Sequence, residues 1–465
     1  MKKTILPLLL LISFASSANI TLPSIIGNNM VLQRRSAVNA WGWAAPGEIV
    51  HITTSWDNKT DSTVTTRDAK WMIQVNTPDA GGPFTITLRG WNTITLTNIL
   101  IGEVWVCSGQ SNMEWNYYLE KSQIVNDFPN VANPNIRLFQ VPRATALYPQ
   151  EDCKSQWTAC DSNTVKQFSL VAYYFGKRIN ALGSVPVGLI NTSWGGTPAE
   201  VWTPAGLINN NAVLKEANGK LSQDPHWPYL PGYTFNAMIA PFTNFAITGA
   251  IWYQGEGNTA APSTYSELLN TMISSWRKEW KKDFPFYFVQ IAPFTYGNNN
   301  VGNLIREQQE KSLKTPKTGM VLVSDLVDDS SNIHPKNKRD VGYRLASLAL
   351  ANRIRPDFLS SESPLFRSMI ISGDKATIGF EYGDALMISG KTPTELFIAG
   401  NDQVFYPAEA SIKDNKLVVW SNQVKSPIAV RYQFSNSGVG NLRTKSGNPV
   451  APFRTDDWPV DTSAK

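Results

Sequence analysis

Histidine and cysteine are both scarce: each occurs three times in 465 residues. Neither falls at the spacing that metal ligands require, so neither a metal nor any other cofactor is expected. Cys153 and Cys160, in "EDCKSQWTACD", are close enough in sequence to close a short loop. Cys107 sits in an apolar run and reads as a small buried residue. An excess of one charge is also missing. Lys and Arg total 42 against 37 Asp and Glu. Without Lys2 and Lys3, which belong to the leader described below, the balance is 40 to 37, a net of +3. That bias is too weak for a nucleic-acid partner. Long apolar runs are absent as well. The stretch Ile5–Phe14 is too short to span a bilayer, and no other segment is long enough, so no membrane span is expected.

Aromatic residues are abundant, with 16 Trp and 15 Tyr. They fill cores, and they also make stacking surfaces for sugar rings. Residues 1–18 have the composition of a signal peptide: Lys2-Lys3, then the apolar stretch, then the small residues Ser16-Ser17-Ala18. The expected location is therefore secreted or periplasmic.

Three regions follow. Residues 19–100 alternate in short β runs ("EIVHITTSW", "WMIQV", "FTITLRG") broken by turn signals, which predicts a small N-terminal β domain. Residues 101–355 alternate strands and helices. The strand candidates "EVWVCS", "VPVGLINTS", "ITGAIWYQ", "FPFYFVQIA" and "GMVLVSDL" are short and apolar, as buried parallel strands are. Between them, "TYSELLNTMISSWRKEW" places Tyr265, Leu268, Leu269, Met272, Ile273, Trp276 and Trp280 on one helical face. A second helix is expected over "NTVKQFSLVAYYFGKRI", capped by Asp161 or Ser162, and a third over "KNKRDVGYRLASLALANRI". The fold class is α/β, a parallel sheet with helices on both faces. Residues 356–465 return to β runs and predict a C-terminal β domain.

Four polar stretches follow strands of the central region, so all four should open on one carboxyl edge, where such sheets present their chemistry. They are "GQSNMEW" with Ser111, "NTSWGGTPAEVW" with Gly195 and Gly196, "WYQGEGN" with Gln254 and Glu256, and "SDLVDDSSNIHPKNK" with His334. The set fits acyl transfer. Ser111 is the candidate nucleophile and His334 its base. The backbone N–H groups of Ser111 and the Gly195-Gly196 turn, with the Gln254 amide, are candidate oxyanion donors. Taken singly, Ser111 could equally cap a helix and the glycines could be a tight turn. His51 lies in an alternating strand and reads as structural. His226, in "QDPHWPY", is a candidate for lining a substrate cleft. The small residue two places after the serine in an α/β-hydrolase elbow is missing, which excludes that fold.

These blocks, with the tail "NLRTKSGNPVAPFRTDDWP", resemble the sialate O-acetylesterase family over nearly the whole chain. The resemblance implies an SGNH-hydrolase-type three-layer α/β/α sandwich flanked by β domains. It implies serine-dependent, metal-free removal of O-acetyl groups from a glycan, either sialic acid or a polysaccharide such as xylan. It makes Ser111 the nucleophile, His334 the base, and Gly196 (or Gly195) with Gln254 the oxyanion donors. Related hydrolases carry Asp three residues before the histidine, where this chain has Ser331. A Ser–His dyad with a neutral orienter is ranked first, then a triad through Asp329 or Asp328, then one through Glu256. A binding protein that has lost its hydrolase centre and a lipid esterase are the competing classes. The presence of Ser111, Gln254 and His334 together argues against the first. The tryptophan-rich loop ends argue against a long acyl pocket.

Overall fold

The computed structural model describes residues 19–354, 362–383 and 385–464. The leader at 1–18 and the boundary expected after 355 lie outside the described residues.

The centre is a sheet built on one strand, Thr93–Gly109. Going one way it pairs in parallel with Val187–Ser193, which pairs in parallel with Asn133–Gln140. Trp157–Cys160 closes that edge antiparallel. Going the other way come Gly249–Tyr253, Phe286–Val289 and Thr318–Val321, all parallel. The chain thus builds out first on one side of the long strand and then on the other. Where strand order reverses in this way, the loops after the strands part and leave a crevice.

Side-chain alternation explains why these strands are apolar throughout. Val104 and Val106 point into one core with Trp252, Tyr265, Leu268 and Ile305. Trp105 and Cys107 point into the other, with Phe175, Ile179, Val341 and Leu345. The helices Tyr265–Glu279 and Val301–Lys311 cover the first face. Leu170–Gly183 and Lys338–Ala349 cover the second. The result is the three-layer α/β/α arrangement. All seven residues named for the predicted face of Tyr265–Glu279 are buried.

Three expectations change. The helix predicted over 163–179 is two helices, Ser162–Gln167 and Leu170–Gly183. Asp161 caps the first, accepting from the Asn163 and Thr164 N–H groups, and Ser169 caps the second. Ser169 Oγ also donates to Met113 O at 2.5 Å, which fixes the break against the turn that carries Ser111. The boundary expected between 100 and 101 falls inside the long strand. Its first half pairs antiparallel with Gly81–Arg89 and its second half joins the parallel sheet, so one backbone belongs to both regions. Finally, all three cysteines are free and buried. Cys153 packs into the core shared with the N-terminal strands, whereas Cys160 packs into the cluster on the other side of the sheet. Burial pushes both thiols up to about 12.

The C-terminal region holds two four-stranded antiparallel sheets around a third apolar cluster. Among the described residues no helix is long and apolar enough to cross a membrane.

Candidate active site

The long strand ends at Gly109, whose φ is +138°. A Cβ there would stand 2.2 Å from Tyr253 O, so only glycine lets the chain leave the sheet against its neighbour. Gln110 N donates to Tyr253 O and Trp194 N to Gly109 O, which ties three loops together. Ser111 then opens a single helical turn, Ser111–Glu114, preceded by Gln110 with no side-chain cap. Ser111 is therefore not a cap. Its Oγ lies 2.9 Å from His334 Nε2.

His334 comes from the loop after Thr318–Val321. Asn332 Oδ1 accepts from its backbone N–H at 2.9 Å. The ring stacks on Trp115, with centroids 4.1 Å apart and planes 23° apart. Burial, and then the Lys338 ammonium, push the imidazole pKa down to about 4. The ring is therefore neutral near pH 7 and able to accept a proton. No described residue bonds to its Nδ1. Asp329 accepts from Ser331 N and Ser331 Oγ instead, and those bonds hold its carboxyl below the usual range. Asp328 makes no bond to the ring. Glu256 is buried, accepts from Asn112 Nδ2 at 2.7 Å, and is raised by burial. No triad carboxylate is present among the described residues, and no neutral orienter takes its place on the ring.

The oxyanion expectations divide. The Gly196 and Ser111 N–H groups donate to no described residue and both residues line the cleft. The Gly195 N–H is taken, donating to Glu114 Oε2 at 2.8 Å. Arg143 Nε in turn donates to Glu114 Oε1 at 2.6 Å. Gln254 must be corrected. It is fully buried, and its amide donates to Thr197 O and Asn258 Oδ1 while its Oε1 accepts from Tyr265 Oη. Both donor hydrogens are committed away from Ser111, so Gln254 braces the loop. The amide that does face the cleft belongs to Gln110. Its Oε1 accepts from the Gly257 N–H at 3.1 Å, and its Nε2 donates to no described residue.

The cleft is open and about 810 Å³ in volume, lined by Trp194, Pro198, Leu221, Trp227 and Tyr229 around Ser111 and His334. Trp227 lies so close to Gly196 that a Cβ there would stand 2.5 Å from its ring. His226 lines the cleft as expected, bonded through Nδ1 to Asp224. Among the described residues no three metal-binding side chains cluster. Sequence reasoning missed Gln110, Asn112, Trp115 and Lys338, although all four lie inside the quoted blocks "GQSNMEW" and "SDLVDDSSNIHPKNK". It also missed Arg143 and the Glu114 contact, for which no local signal exists.

Residues 101–351 match the family of carbohydrate esterases described as sialic acid-specific acetylesterases. The chain is 33% identical to a carbohydrate acetylesterase from Xanthomonas citri. The two structures superpose with a TM-score of 0.86, over 95% of this chain and 100% of that one. It is 29% identical over 430 residues to the sialate O-acetylesterase of Homo sapiens, covering 83% of this chain and 81% of the relative. For the sialate O-acetylesterase of Rattus norvegicus the identity is 28% over 434 residues, with 79% and 80% covered.

Proposed function

Because the chain belongs to the sialic acid-specific acetylesterase family of carbohydrate esterases, we infer that its carboxylic ester hydrolysis runs through Ser111 and His334. The 2.9 Å bond between Ser111 Oγ and His334 Nε2 carries this reading. Ser111 Oγ attacks the acetyl carbonyl carbon while His334 Nε2 takes the hydroxyl proton. The carbonyl oxygen becomes an oxyanion, and the Ser111 and Gly196 N–H groups stabilise it. The tetrahedral species collapses, the C–O bond to the sugar breaks, and His334 returns its proton to the leaving sugar oxygen. Water then attacks the acetyl-Ser111 ester with His334 again as base. Acetate leaves and Ser111 is restored.

The substrate proposed first is an O-acetylated sialic acid, on the strength of the relatives' names. One observation favours a neutral acetylated polysaccharide instead. Arg143 lines the cleft, yet its Nε and Nη2 pair with Glu114 Oε1, which offsets the charge it would present to a sugar carboxylate. Acetate release from O-acetylated sialic acid and from acetylated xylan, measured side by side, decides between them. A rate on sialic acid at least tenfold above that on xylan supports the first, and the reverse supports the second. The reading also includes export, on the leader-like composition of residues 1–18. Fractionation of cells expressing the full chain checks it.

A further inference from the structure

We propose that Lys338 is a positioning residue of this esterase. From beneath the nucleophile turn it holds Asn112 and Trp115, and through them the Ser111–His334 pair. The inference rests on the reading that this pair performs the hydrolysis.

Lys338 opens the helix Lys338–Ala349 and is only 1% exposed. A buried ammonium is costly unless its surroundings compensate it. Here the compensation converges on the active site. Nζ donates to Asn112 Oδ1 at 2.6 Å and lies over the rings of Trp115 (5.4 Å) and Tyr253 (5.8 Å). No described carboxylate is within ion-pair distance. Glu256 is reached through Asn112 instead, whose Nδ2 donates to Glu256 Oε1 at 2.7 Å and to Ile333 O at 3.1 Å. Lys338 Nζ donates at one end of the amide and Glu256 Oε1 accepts at the other, so the two fix which end faces which.

The placement of these partners gives the bridge its role. Asn112 follows Ser111 in the chain, and Ile333 precedes His334. One amide therefore pins the neighbours of both catalytic residues, and Lys338 pins the amide. Trp115, the second group under Lys338, is the ring on which His334 stacks. In a conventional triad a carboxylate on Nδ1 orients the imidazole. With no such partner among the described residues, ring orientation rests on the Ser111 bond, the Trp115 face and the pinned backbone. The charge of Lys338 also disfavours a second cation at His334. The groups facing Lys338 are Glu256, Glu120, Tyr253, Trp115 and His334; burial pushes its ammonium down to about 7, and the two acids oppose that loss of the proton.

The test uses the full chain with p-nitrophenyl acetate. Lys338→Met keeps the length and apolar stem and removes the charge and the donor. We expect kcat to fall about 10²-fold, the size of effect that small misplacements produce, with KM within about twofold. The acid limb of kcat/KM should move to higher pH, because a cation has left the imidazole. Lys338→Arg should recover part of kcat. A merely structural lysine would lower the melting temperature and leave the limb in place. Trp115→Leu removes the ring while leaving Lys338, and should lower kcat similarly, which keeps the test open if Lys338→Met fails to fold. Folded Lys338→Met with kcat within threefold of the parent overturns the proposal, as does an unmoved limb. So does a wild-type kcat in Trp115→Leu. Ser111→Ala and His334→Ala are run alongside: if they retain activity, the underlying site assignment is what fails.

Discussion

His334 Nε2 reaches Ser111 Oγ at 2.9 Å across 223 residues of chain. Two loops from different strands of one sheet make the pair, and the remaining chemistry is arranged around it.

Removing the nucleophile should abolish acetate release. For Ser111→Ala the expected loss is on the order of 10⁶-fold, as for serine removal in a well-studied hydrolase. The fold should survive, because the bond to His334 is the side chain's only one to a described residue. Circular dichroism and acetate release on the same preparation check both halves. Retained turnover would exclude a serine mechanism.

The pH profile should show a low acid limb. The base must be neutral, so kcat/KM rises with pH through the folded value of His334. With the pKa pushed down to about 4, the limb belongs near that pH and not near 6.5. Stability has the matching sign. The unfolded chain binds this proton below about 6.5 and the folded one does not until about 4, so this contribution to stability falls as pH drops between them. A profile from pH 3.5 to 8, run with a melting series, tests it. A limb at the ordinary histidine value contradicts the burial argument.

Gln110 and Gln254 should separate by readout. Gln254→Ala breaks three buried bonds and should lower the melting temperature. Gln110→Ala removes an amide that faces the cleft and should lower kcat, by up to the 10²–10³-fold typical of one oxyanion donor. Steady-state kinetics on both variants would reverse these assignments if Gln254→Ala alone lost kcat without losing stability.

No acidic third member should emerge. Changing a true triad carboxylate to its amide can cost about 10⁴ in kcat. Asp328→Asn and Asp329→Asn should stay within about threefold of the parent, since neither carboxylate bonds to His334. Glu256→Gln should cost more than either, through Asn112, and still fall short of 10⁴. A loss of that size in any one of the three identifies the missing partner.

Chelation should leave the rate unchanged, since the proposed steps use a serine, an imidazole and backbone N–H groups. Dialysis against EDTA followed by the chromogenic assay tests this. Activity that vanishes and returns with zinc would require a different chemistry.

Much of this is legible in the sequence. Short, continuously apolar runs alternating with helices placed "EVWVCS", "VPVGLINTS", "ITGAIWYQ" and "GMVLVSDL" in one parallel sheet, and the polar residues after them on one edge. A continuous apolar run reports burial on both faces, and strand ends inherit a common side from the parallel topology. Ser111 and His334 could be paired on that basis. The identity of each donor's partner could not. Gln254 and Gln110 have the same amide at the same edge, but Asn258, Thr197 and Tyr265 saturate one, whereas two backbone N–H groups turn the other toward the cleft. Gly195 and Gly196 are adjacent, but Glu114 occupies one N–H and not the other. Hydrogen bonds are chosen by a few tenths of an ångström among groups remote in sequence, and periodicity carries no information at that scale. The stack of Lys338, Trp115 and His334 belongs to the same class: three residues of ordinary local pattern, brought together where a loop, a turn and a helix start meet over the sheet.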